Sequence, residues 1–169
     1  MKRFFLVLCL VGATMMAASG QDKKAEREAA AAAAFEKALV AVEAKEFVII
    51  VDSYDSGDGN FVTNTDNANF LSYESDFIFL QGQMIAGNTY TNKLNVINYD
   101  QSTDKKGNVK ILMQVRGFHI TAKIQISLKK SAGSYADVII TPTKGDTKRF
   151  SGDIVPRAES KYFKRPGEI

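Results

Sequence analysis

Two neighbouring stretches of this chain alternate apolar and polar side chains with opposite parity. Val109, Ile111, Met113 and Val115 are the apolar positions of the first, all odd-numbered. Phe118, Ile120, Ala122, Ile124, Ile126 and Leu128 are those of the second, all even-numbered. Alternation with period two places one face on a core and the other in water, here with His119, Thr121, Lys123, Gln125, Ser127 and Lys129 on the wet side. The change of parity has to be absorbed at Arg116-Gly117, so Gly117 is expected to be a bulge or tight bend, with φ > 0 as the costly condition for any replacement. A sheet that turns so sharply is strongly curved, and three architectures fit: an open curved sheet, a closed barrel or a two-sheet sandwich.

The same grammar runs from Glu46 onward. Short β-branched and aromatic runs, separated by Gly, Asn, Asp and Ser, predict strands at 46–54, 60–64, 68–75, 77–83, 94–102, 109–115, 118–129, 135–141 and 148–156. Gly107, Gly133 and Gly145 stand where hairpins want positive φ. Between Gly82 and Asn92 lies the longest irregular segment. Its Met84, Ile85 and Tyr90 are expected to cover one end of the core, with a ligand lid as the alternative. Residues 21–45, with the unbroken run Ala29–Ala34, form the one convincing helix. Phe35, Leu39 and Val42 recur at helical spacing and give it a stripe to bury, whereas its first turns have little to bury and should project.

Upstream, Lys2 and Arg3 precede an apolar run from Phe4 to about Ala18, and Ala18-Ser19-Gly20 offers small side chains before Gln21. This is the form of a cleaved secretory leader over 1–20, shorter than a membrane span, with Cys9 wrongly placed for lipid attachment. Cleavage removes Lys2 and Arg3 from the 22 basic residues, leaving 20 against 19 acidic ones, a mature charge of +1. It also removes the only cysteine, so no disulfide or thiolate metal site is available. A near-neutral chain with interspersed charges is no nucleic-acid binder. The basic residues near the end, Arg157, Lys161, Lys164 and Arg165, are expected to be solvated, the last three of them in a polar C-terminal tail over 159–169.

Little in the sequence carries chemistry. His119 is the only histidine and faces water, and no Gly-x-Ser-x-Gly occurs. Asp52, Asp55 and Asp58 recur every third residue, unlike the alternate ligands of a calcium loop, and with Asn64, Asp66, Asn67 and Asn69 they are assigned to turns. Glu74 and Asp76 stay open as members of a carboxylate pair, and Tyr73, Tyr99 and Tyr135 as a stacking surface for sugars. No catalytic residue, metal or cofactor is assigned.

Several of these features together, namely the leader, the charged Ala-rich helix, Phe47-Val48-Ile49-Ile50, Asp104-Lys105-Lys106-Gly107-Asn108 and the run from Phe150 to Pro156, resemble the domain of unknown function 4251 family. These are small secreted proteins of Bacteroides-type bacteria, and the resemblance spans nearly the whole mature chain. It implies an N-terminal helix before an antiparallel β domain, and no activity. The expectation is thus a mainly β protein: a leader (1–20), a helix (21–45), a β domain of eight or nine antiparallel strands (46–158) and a tail. Its role is expected to be non-catalytic, binding a small apolar ligand or an envelope protein partner. The alternatives are a hydrolase using clustered carboxylates and a structural envelope factor docking through its helix.

Overall fold

The computed structural model describes residues 22–169 in full and residues 2–21 as backbone only. The side chains of the expected leader therefore lie outside the described residues. Helix α1 (Lys2–Glu43) leads into ten strands: β1 (Glu46–Ile50), β2 (Ser53–Asp55), β3 (Phe61–Thr63), β4 (Phe70–Glu74), β5 (Phe77–Gly82), β6 (Asn88–Thr103), β7 (Val109–Arg116), β8 (Thr121–Leu128), β9 (Tyr135–Pro142) and β10 (Lys148–Pro156). A one-turn helix α2 (Gln83–Ala86) separates β5 from β6. Among the described residues no helix is long and apolar enough to cross a membrane.

Neighbouring strands pair antiparallel in the order β1-β4-β5-β6-β7-β8-β9-β10, and β1 also pairs with β10, Phe47 opposite Pro156 and Ile49 opposite Ile154. That last pairing closes the ring, so of the three architectures the chain adopts the barrel. Such a ring is just wide enough for side chains to fill. The inward-facing residues, among them Phe47, Ile49, Leu71, Tyr73, Ile78, Leu80, Ile111, Met113, Ile124, Ile126, Val138 and Ile140, form one continuous core.

The expected strand 46–54 divides in two. β1 lies against β4 and the end of β10, whereas β2 pairs with the middle of β10 (Tyr54 opposite Phe150) and carries β3 outward as a flap. At the break the chain crosses Gly152, where a Cβ would stand 2.0 Å from the Ile50 carbonyl oxygen. Only glycine permits that approach.

The parity change between β7 and β8 proves to be a hairpin. Val115 pairs with Ala122 and Arg116 with Thr121, leaving a four-residue loop closed by Gly117 N–H donating to the Ile120 carbonyl at 2.7 Å. Gly117 is not among the positive-φ glycines. It is needed because a Cβ would stand 2.5 Å from Leu94 Cδ2 and 2.7 Å from the Lys93 carbonyl oxygen. β8 begins at Thr121, three residues later than the alternation suggested, so Phe118 leaves the inward row and is 84 % exposed. Gly107, Gly133 and Gly145 do hold positive φ, at 81°, 67° and 96°.

Helix α1 closes one end of the barrel. Phe35, Ala38, Ala41 and Val42 are buried in the common core, and residues 22–30 are all exposed. The stripe foreseen for docking is thus consumed within the chain. Beneath the helix, Tyr73 packs edge-on to Phe47 and Tyr99, with ring centroids 5.9 and 6.0 Å apart. Burial pushes the Tyr99 hydroxyl up to about 12, and Tyr73 is likewise a core residue, not part of a sugar-stacking surface.

Residues 160–169, expected to be solvated, lie as a strap across the outer face of β4, β5 and β6. Val48, Phe70 and Phe79 point outward yet are nearly inaccessible, because Tyr162 packs edge-on to Phe70 (4.6 Å) and the Lys164 ammonium sits over the Phe79 ring (3.2 Å). Gln81, fully buried, hooks the strap. Its Nε2 donates to the carbonyls of Ala68 and Phe163, both at 2.8 Å, and its Oε1 accepts from Arg165 N–H (2.8 Å) and from the Thr91 hydroxyl (2.5 Å). Farther along, Ile169 N–H donates to the Thr91 carbonyl and its own carbonyl accepts from Lys93 N–H.

Candidate functional site at the open mouth

The barrel end opposite α1 has no helix of comparable length over it. It is bordered by α2, by the 117–120 hairpin and by the 143–147 loop, which together surround a cavity of about 510 Å³. Leu80, Ile85 and Ile140 form its floor, with Ile120 and Phe118 on one wall and Lys144, Asp146 and Lys148 on the other. An apolar floor with a few polar groups at the rim is the usual make-up of a ligand site.

Local chemistry fixes this rim. Gly82 and Gly87 bracket α2 with φ of 118° and 71°, the second as a left-handed cap. This turn drives Ile85 into the core, where it is 2 % exposed, as expected of the 82–92 segment, while Tyr90 remains 59 % exposed and covers nothing. Asn88 and Asn92 exchange side-chain amide hydrogen bonds at 3.1 and 2.9 Å, and Asn92 also donates to the Leu80 carbonyl. The segment expected to be irregular is therefore a turn of helix followed by the first residues of β6. Across the mouth, Thr143 N–H donates to the Thr121 carbonyl at 2.8 Å, joining the other two loops.

His119 stands on this rim, exposed, its ring edge-on to Phe118 at 4.6 Å. The sequence placed His119 in water correctly but gave no sign that it borders a cavity, since the loops that face it come from distant parts of the chain. The other chemical candidates fall elsewhere. Glu74 lies under the strap, accepting from Ser72 Oγ (2.7 Å), Tyr162 Oη (3.1 Å) and Lys164 Nζ (3.2 Å), and neither it nor Asp76 lines the mouth.

Asp55 and Asp58 serve the β2–β3 turn. Asp55 Oδ1 accepts from the amides of Gly57 and Gly59, and Asp58 from the Ser56 hydroxyl and both nitrogens of Asn60. The Ser56 bond, followed by those of Asn60, holds the Asp58 carboxyl at about 2. Asn64 is likewise structural, donating to the carbonyls of Val51 and Asp66 and accepting from Asn69. Among the described residues no three His, Cys, Asp or Glu side chains gather as a metal site.

The family model described as "Domain of unknown function (DUF4251)" matches residues 29–154, from the docked turns of α1 to the seam strand β10. A crystal structure of a DUF4251 family protein from Bacteroides eggerthii DSM 20697 is similar to this fold with a TM-score of 0.68 at 26 % identity, covering 79 % of this chain and 94 % of that one. No curated protein matches the sequence. With three-quarters of its length inside the family match and a solved relative of similar fold, the chain belongs to the DUF4251 family.

Proposed function

We propose that this protein is an exported, non-catalytic binding module that takes a small, partly apolar ligand at the open mouth. The observation that carries this reading is the cavity of about 510 Å³ over Leu80, Ile85 and Ile140, with Phe118 presented beside it at 84 % exposure. A phenyl ring so exposed on a short hairpin contributes nothing to the core, yet it can cover an apolar guest. The filled interior argues for a guest seated at the mouth, not swallowed by the barrel. A non-catalytic role is supported by the partners of Glu74, which engage its carboxylate under the strap.

The test is denaturing extraction and mass spectrometry of protein purified from its native compartment, together with titration of the apolar fluorophore anilinonaphthalene sulfonate. Expected are a co-purifying apolar molecule and saturable, one-to-one dye binding that Phe118→Ala weakens without lowering the melting temperature. Absence of both, or dye binding indifferent to Phe118, overturns the reading. Hydrolytic activity lost in His119→Ala would restore the enzymatic alternative. Export is tested separately by intact mass, which should begin the mature chain at or near Gln21.

A further inference from the structure

At the helix-capped end, far from the mouth, the fold assembles a positive groove that the sequence does not display. The cations come from three separated places: Arg27 on α1, Lys106 in the β6–β7 turn, and Lys129 and Lys130 after β8. They border a groove of about 970 Å³ whose one wall is the alanine face of α1 at Ala31 and Ala32. Glu28 is the single acid among its lining residues, and it lies 3.8 Å from Lys24. Lys129 has a loose, exposed contact with Asp137 at 3.6 Å. Among the described residues, the ion pairs include no carboxylate partner for Arg27, Lys106 or Lys130.

The groove is held in shape. Asp104 Oδ1 accepts from the amides of Lys106 (2.7 Å) and Asn108 (2.9 Å), fixing the first turn, and Asn108 Oδ1 accepts from Lys130 N–H at 3.1 Å, which ties it to the second. The Lys130 stem crosses directly over Gly107, within 3.1 Å of where a Cβ would stand. A Cβ at Gly133 would stand 3.4–3.6 Å from Ala31 and Ala34 of α1, so the loop after β8 passes close beside the helix and places Arg27 near both turns. Like charges gathered on tied turns repel one another. An anion placed among them relieves that repulsion, and several oxyanions on one molecule engage several of the cations at once.

We infer that this groove binds a small ligand carrying two or more phosphate-type oxyanions. Isolated lysines would hold a single phosphate weakly, and the groove spans cations on three elements, so valency in the ligand is what it selects.

The test uses inorganic tripolyphosphate against the mature protein by calorimetry at low ionic strength, with orthophosphate and anionic phospholipid vesicles as parallel arms. Expected is saturable one-to-one binding of tripolyphosphate, at least tenfold weaker for orthophosphate and weakened further by added salt. The double variant Lys106→Ala/Lys130→Ala should weaken it at least tenfold. Lys123→Ala/Arg149→Ala, which removes the same charge elsewhere on the barrel, should change it by less than twofold. Equal losses in the two variants, no saturable binding, or binding to vesicles but not to tripolyphosphate overturns the inference. Amide shifts in the parent protein provide a check independent of variant folding: they should concentrate at residues 27–32, 106–108 and 129–131, and an even spread over the surface counts against the site.

Discussion

Replacing Gln81 by leucine should release the C-terminal strap before it unfolds the barrel. The two residues are similar in volume, so the change removes hydrogen bonding without opening a cavity. Four partners lose their bonds: the carbonyls of Ala68 and Phe163, the Arg165 amide and the Thr91 hydroxyl. The Ala68 carbonyl and the Thr91 hydroxyl are buried, and Thr91 keeps its second acceptor, the Arg165 carbonyl, only while the strap is docked; at about 1–3 kcal/mol for each buried polar group left unpaired the loss is about 2–6 kcal/mol. The other two belong to the strap, which can rewet them by lifting, and lifting exposes Phe70 and Phe79.

For a domain of this size that loss is a fall in melting temperature of roughly 4–24 °C. Hydrogen exchange followed by mass spectrometry separates the two events. Amides of 160–169 should exchange near the unprotected rate in the variant, while those of β7 and β8 stay protected at temperatures well below the melt. A variant that melts with the parent, or one whose strap and barrel lose protection together, refutes the account of Gln81 as a hook.

Three further outcomes follow from the geometry. Gly117→Ala should cost about 1–3 kcal/mol although its φ is not positive, because the added carbon meets Leu94 and the Lys93 carbonyl; an unchanged thermal melt would mean the hairpin shifts freely. The Arg157 guanidinium donates to Glu46 and holds its carboxyl below the ordinary 4.5, outweighing an opposing contribution from burial. A depressed pKa stabilises the fold above the unfolded value and is lost as pH falls through the folded one, so denaturant titrations should show Glu46→Gln losing less stability than the parent on acidification below about pH 4.5. Asp104→Ala should lower stability slightly by freeing the amides of Lys106 and Asn108, read as an earlier midpoint in chemical denaturation; an unchanged midpoint would mean the turn holds without its carboxylate.

Strand positions and the glycines of three hairpins were legible in the sequence because alternation and turn chemistry are local properties. Closure was not, since the pairing of β1 with β10 joins opposite ends of the domain and leaves no local mark. The strap did leave one. Phe47 to Val51 and Phe77 to Leu80 are unbroken apolar runs, and a strand apolar on successive positions is covered on both faces. The covering segment had to come from elsewhere in the chain, and Tyr162 is the aromatic residue that supplies it. Phe118 was misplaced because alternation alone cannot say where a strand stops and its hairpin begins. The mouth and the basic groove were invisible for one reason: each is made by loops from different strands, and residues such as Lys106 and Lys130 become neighbours only once β7 and β8 have folded back.

The seam between β1 and β10 also sets an order of events during synthesis. As the chain emerges from its N-terminus, β1 can pair with β4 early, and each hairpin from β4 to β9 can add in turn through contacts between strands adjacent in sequence. Residues 47–49 cannot gain their second partner until 154–156 have been made, and until then the nascent sheet is an open ribbon with two unsatisfied edges. A message truncated before Lys148 would thus yield a product with nearly all its hairpins and no seam, a species primed for edge-to-edge aggregation.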